Sequence, residues 1–208
     1  VTFNETAGSP VVEAIVATIG DAGFKTLAEA IEEAKAGQTI ILQRDVALKD
    51  ILTIDKAITF DGNGFKLTST AGRAINVETN GNVVIKDLEI VAAERAINII
   101  NKTVNVTVEN VKATAKNNAI MIATSAENVV LTVKDSELTG LAVVNVAGPN
   151  AKATITDTEI VCVDANKNED YGAITVWTSA ENAEVVVEII EAANETITET
   201  VETEVEPV

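Results

Sequence analysis

The chain contains no histidine and one cysteine, Cys162. Without histidine, most zinc sites and every Ser-His or Cys-His nucleophile arrangement are excluded. With one cysteine no internal disulfide can form, and Cys162 is expected to fill core space as a small apolar residue. Positive charge is also scarce: 15 Lys and Arg stand against 32 Asp and Glu, a net charge of −17. Nucleic acid and anionic membrane surfaces recruit positive charge, so neither is expected as a partner. No run of 18 apolar residues occurs, so membrane insertion is not expected. Aromatic residues make up 3% of the chain, with a single tryptophan, Trp177, and a single tyrosine, Tyr171. What remains is rich in Val, Ile, Ala and Thr, a composition suited to β-structure built from branched side chains.

The chain opens on Val1 with neither an initiator Met nor a signal-peptide pattern, the expectation for a processed mature form. Asn4, Asn101, Asn105 and Asn194 each begin a glycosylation sequon. These fit an exported, extracellular or cell-surface protein, although such triplets also arise by chance where threonine is abundant.

One pattern returns about five times between Arg73 and Ile190. Each copy opens with a pair: Ala74-Ile75, Ala96-Ile97, Ala119-Ile120, Ala142-Val143 and Ala173-Ile174. The spacings are 22, 23, 23 and 31 residues, and the last gap holds an insertion, residues 164–170. Each copy then carries a second alternating run, ending at Lys86-Asp87, Glu109-Asn110, Lys134-Asp135, Thr156-Asp157 and Glu188-Ile189. A period in the twenties marks a solenoid, in which no copy can bury its apolar face alone. Stacking places Ile75, Ile97, Ile120, Val143 and Ile174 in one inward column, and Ile85, Val108, Val133, Ile155 and Val187 in another. Beside the second runs an outward column, Lys86, Glu109, Lys134, Thr156 and Glu188, in which neighbours never share a charge. Like charges stacked across strands repel, so this alternation supports the register.

Ahead of the repeats, residues 1–6 read as extended, Gly8-Ser9-Pro10 as a breaker, and residues 11–19 as a strand. Gly20-Asp21-Ala22-Gly23 reads as a turn. Thr26 with Glu29 forms a capping-box signature for a helix over residues 26–36, which Gly37 ends. Leu27, Ala30, Ile31 and Ala34 share one face of it. Strands follow over residues 39–43, 52–54 and 57–60, closed by Asp61-Gly62-Asn63-Gly64.

The motifs Phe24-Lys25-Thr26-Leu27, Gly37-Gln38-Thr39-Ile40, Leu52-Thr53-Ile54-Asp55-Lys56 and Ile58-Thr59-Phe60-Asp61-Gly62 resemble the N-terminal cap and first coils of right-handed parallel β-helices. The resemblance is to the pectate-lyase-like superfamily, frequent in bacterial and archaeal surface proteins, and spans residues 23–190. It implies an all-β, right-handed parallel β-helix with an N-terminal capping α-helix. It does not imply one function, because that fold carries lyases, esterases, hydrolases, adhesins and inert spacers. The resembling enzymes use calcium-binding acid clusters with an arginine base, or paired Asp with Arg or His. None of their motifs maps onto Arg44, Arg73 or Arg95, and Arg73 and Arg95 occupy equivalent places before successive Ala-Ile pairs. Catalysis is not expected.

Two groups of oxygen-bearing side chains invite a calcium reading. Asp87, Asn110, Asp135 and Asp157 form a column that reads either as a carboxylate row or as a corner ladder; their place at a turn in every coil favours the ladder. Asp164, Asn166, Asn168 and Asp170 alternate as calcium-loop ligands do, but the loop lacks glycine at its sixth place and has Thr175 at its twelfth. The other reading of that segment is a polar bulge. With Ile174 and Val176 pointing inward, Trp177 is expected to point outward and, with Tyr171, to make a protein or sugar contact or to pack beneath the bulge.

A parallel β-helix leaves unpaired backbone at both ends. The helix can cover the first. The last is followed by a Thr/Glu run too polar to order itself, which is expected either to join a neighbouring copy or to fold back on its own coil. Organisation is therefore read as residues 1–22, an extended segment and strand; 23–190, the β-helix; and 191–208, a C-terminal strand or tail. Val1, Phe3, Ile197, Val201 and Val205, with Trp177 and Tyr171, are the expected interface residues. The leading functional expectation is a structural subunit of an extracellular filament or surface layer, a homopolymer joined head to tail. An adhesin or glycan-binding module is the alternative, and a calcium-dependent polysaccharide lyase comes third.

Overall fold

A computed structural model describes residues 14–163, 172–190 and 196–201. The chain coils so that each turn contributes strands to three parallel columns. The first column stacks Thr39–Leu42, Thr59–Asp61, the opening half of Gly81–Ala92, the opening half of Val104–Ala115, Val130–Lys134, Lys152–Thr156 and Glu184–Ile190. The second stacks Val46–Leu48, Lys66–Ser69, the closing halves of the two long strands, Glu137–Gly140 and Glu159–Cys162. The third is a six-stranded sheet of Leu52–Ile54, Arg73–Val77, Arg95–Ile99, Asn118–Ile122, Val144–Val146 and Ile174–Val176. The molecule is thus a parallel β-solenoid, as the repeats predict.

Inside the coil, like lies on like. Ile85, Val108, Val133, Ile155 and Val187 are in register, as expected. Ile75, Ile97 and Ile120 are too, but the next residue of that column is Val144, followed by Ile174. Val143 is displaced by one position: it is buried beside the column, and its carbonyl accepts from Ile120 N at 2.9 Å. Both valines are apolar and buried, so hydrophobic pattern alone did not distinguish them. Each such side chain withdrawn from water stabilises the coil by roughly 1.5–3 kcal/mol.

The second column has no counterpart in the sequence reading. The chain turns at Asp87 and continues as strand, with Leu67, Ile90, Ala113 and Leu138 stacked and buried behind the bend. The bend is made by one left-handed residue per coil: Asn63, Asp87, Asn110, Asp135 and Asp157 have φ of 51, 51, 51, 50 and 46°. Asn and Asp tolerate this conformation better than other residues with a Cβ, which explains why they recur there.

At the N-terminal end, Ala17–Ile19 and Ala22–Phe24 form an antiparallel hairpin on Thr39–Leu42. The helix is Leu27–Glu33, with Thr26 as N-cap and the capping box to Glu29 formed. It stops short of the expected Ala36 because its last carbonyls are taken elsewhere. Lys56 Nζ donates to Ile31 O at 2.7 Å and to Glu32 O at 3.0 Å, while Lys35 N donates to Gln38 Oε1 at 2.7 Å. Leu27, Ala30 and Ala34 are buried over the end of the core. At the other end, Thr196–Val201 pairs antiparallel with Glu184–Ile190 of its own chain.

Candidate functional site

Three surfaces were built by the sequence with polar or apolar groups in register. The corner between the first and second columns is a concavity of about 460 Å³, lined by Asp61, Asn63, Asp87, Asn110, Asp135 and Glu137 among others. Several of its polar groups are bonded to one another. Lys86 Nζ lies 2.8 Å from Asp61 and 3.0 Å from Asp87, and Asn110 Nδ2 donates to Asp87 Oδ1 at 2.6 Å. The bond from Asn110, then that from Lys86, holds the Asp87 carboxyl below its usual value. The two carboxylates hold Lys86 above the usual lysine value. Further along, Lys134 pairs with Glu109 at 2.7 Å, and on the second column Lys66 pairs with Glu89 at 2.7 Å and Lys112 with Glu137. The left-handed φ values and these bonds make the Asp/Asn column a corner ladder. Among the described residues no group of three or more acidic or cysteine side chains is gathered to hold a metal.

The second surface is a cleft of about 300 Å³ over the third column, where Arg95, Asn118, Met121, Leu141, Asn145 and Trp177 are among the lining residues. Its wall is the stacked turns that lead from the second column to the third: Asn117 and Asn118 N–H groups donate to Glu94 O, and Leu141 and Ala142 N–H groups to Asn117 O. Met121 and Asn145 line its floor and continue a row that begins with Asn76 and Asn98, residues in register across successive coils. Asn98 Nδ2 donates to Asn76 Oδ1 at 3.1 Å, and Arg95 Nη1 donates to Asn98 Oδ1 at 3.3 Å. Met121 breaks this amide stack. Thr175, next in the row, donates instead to Gly172 O at 3.4 Å. Asn145 is 4% exposed, and no donor reaches its Oδ1 among the described residues. Burial, and Arg73 in the neighbouring coil, lower the Arg95 pKa. Trp177 is 47% exposed at the edge of the cleft.

The third surface is the pair of rims. Among the described residues, Val46–Leu48 and Leu52–Ile54 each pair on one side only, as do Glu159–Cys162 and Ile174–Val176 at the far end. Beside the far rim Val161, Val163 and Trp177 are exposed, and beside the near rim Ile51 is exposed. Cys162 is half-buried, packs against the core and directs Sγ at Leu141 O.

Of the residues singled out from sequence, Asn101 and Asn105 lie on the surface, where their amides donate to Asn80 Oδ1 at 2.7 Å and Asn82 Oδ1 at 2.9 Å. Ile197 and Val201 stand opposite Ile189 and Val185 on the cis-paired strand. Val1, Phe3, Asn4, Asp164, Asn166, Asn168, Asp170, Tyr171, Asn194 and Val205 lie outside the described residues. Arg95, Met121 and Asn145 were missed as cleft residues: the Ala-Ile pairs align Asn76, Asn98 and Met121 with Val144, and only the one-residue displacement of the fourth copy brings Asn145 into the row.

The fold defines the chain as a parallel β-solenoid. Comparison with protein-family models, curated proteins and solved structures finds no match.

Proposed function

We propose that the protein is a structural subunit of an extracellular filament or surface layer, joining copies of itself end to end. One observation carries the reading: among the described residues, two of the three strand columns finish at each end on an unpaired edge. Such edges offer rows of backbone donors and acceptors to another chain. Exposed Val161 and Val163 add apolar surface at one rim. Since the tail strand already pairs within its own chain, the joint in this proposal uses the second and third columns. The motifs between Phe24 and Gly62 support assigning the protein to the pectate-lyase-like kind of surface β-helix.

Light scattering on the purified chain tests the proposal. Mass should rise with concentration above the 21.8 kDa of one copy. Val161→Lys, which puts a charge on the open edge, should hold the protein at a single copy. A single-copy mass for the unaltered chain at every concentration would contradict the reading.

A further inference from the structure

We infer that the cleft over the third column binds one sugar unit of a glycan. The row beneath it is an amide stack interrupted by Met121, and the interruption leaves Asn145 Oδ1 buried with no donor. A buried acceptor left unpaired is unfavourable, because it has given up its bonds to water and gained none in return. Asn145 lines the cleft, so a small turn of its carboxamide brings this unpaired acceptor to a donor arriving from outside. Trp177, half-exposed and lining the cleft, supplies an indole to which the apolar face of a pyranose is complementary. Met121 and Leu141 add apolar lining, and a volume of about 300 Å³ admits a single ring with its hydroxyls. A sugar hydroxyl donates to Asn145 Oδ1, while Arg95 donates to a ring substituent, either a hydroxyl or the carboxylate of a uronic acid. The cleft shares Trp177 with the far rim, but Asn145 lies on Val144–Val146, one strand in from the edge, so loss of binding in Asn145→Leu is distinguishable from loss of end-to-end assembly in Val161→Lys.

The protein has one tryptophan, so its fluorescence reports directly on this cleft. The full chain is titrated with glucose, N-acetylglucosamine and glucuronate, as free sugars and as short oligomers. A saturable change is expected with at least one of them. Trp177→Ala, followed by calorimetry, and Asn145→Leu, followed by either method, should each weaken binding by roughly tenfold or more. Asn145→Leu also removes the unpaired acceptor, so its melting temperature should be unchanged or higher, which a purely structural asparagine would not show. Thr175→Asn is a second variant: it places a carboxamide donor next to Asn145 in the row and should weaken binding without emptying the cleft. A preference for glucuronate that Arg95→Met removes assigns the carboxylate to Arg95; equal binding assigns a hydroxyl. No saturable change with any of these sugars, or full binding by both Asn145→Leu and Trp177→Ala, overturns the inference.

Discussion

At Asn110 two demands meet on one side chain. Its backbone holds φ of 51°, and its amide donates to Asp87. Alanine loses the bond and keeps the left-handed strain, whereas glycine loses only the bond. Asn110→Ala should therefore destabilise by about 2 kcal/mol and Asn110→Gly by about 1, measured by urea unfolding. Either change also removes the largest cause of the low Asp87 pKa. The folded state favours the Asp87 carboxylate, so this contribution to stability is present above the normal carboxylate range and is lost as pH falls through the depressed value. Carbon-13 titration should show the Asp87 pKa higher in both variants; an unchanged value would separate the ladder from the titration. Gly148 makes a steric demand instead. A Cβ there would lie 1.9 Å from Ala126 O in the coil beneath, so Gly148→Ala should cost about 3 kcal/mol or more by the same unfolding measurement.

Among elements, the short helix shows how local chemistry sets a boundary that pattern reading overshoots. Thr26 and Glu29 were legible as a cap because their roles depend on three-residue spacing. The early stop was not, because it depends on Lys56, which lies a coil away in sequence and reaches back to Ile31 O and Glu32 O. Thr26→Ala should cost about 1 kcal/mol in thermal or urea unfolding. The columns teach a similar lesson. Charge alternation along Lys86, Glu109 and Lys134 made the register of the first column legible in the sequence, and Lys134 does pair with Glu109. The second column escaped notice because the bend at Asp87 takes a single residue and the apolar alternation resumes at once. The cleft escaped because its defining feature is a missing partner, and a sequence shows which residues are present rather than which bonds fail to form.

Over the whole molecule, charge is uneven: two of the basic and 14 of the acidic residues follow Gly140. Any joint between copies brings strongly acidic surface closer to its like. End-to-end association should therefore strengthen as salt is raised from low to physiological ionic strength, where the screening length falls to about 8 Å. Sedimentation at stepped salt concentrations measures this, and association that weakens with salt would point to a joint made by charge attraction instead. Repetition along the coil was readable from the period of its Ala-Ile pairs, but closure of the first column by antiparallel strands was not. Antiparallel capping depends on where non-repeating segments fold back, and nothing in the repeat specifies that.

The central claim is that copies join by continuing the coil through the open edges of the second and third columns. Electron microscopy of concentrated protein in physiological salt tests it most directly. Six strands in each of these two columns, at about 4.8 Å each, give an expected axial rise of about 29 Å per copy, with strands perpendicular to the filament axis. Isolated particles at every concentration, or filaments whose strands run along their axis, would contradict it.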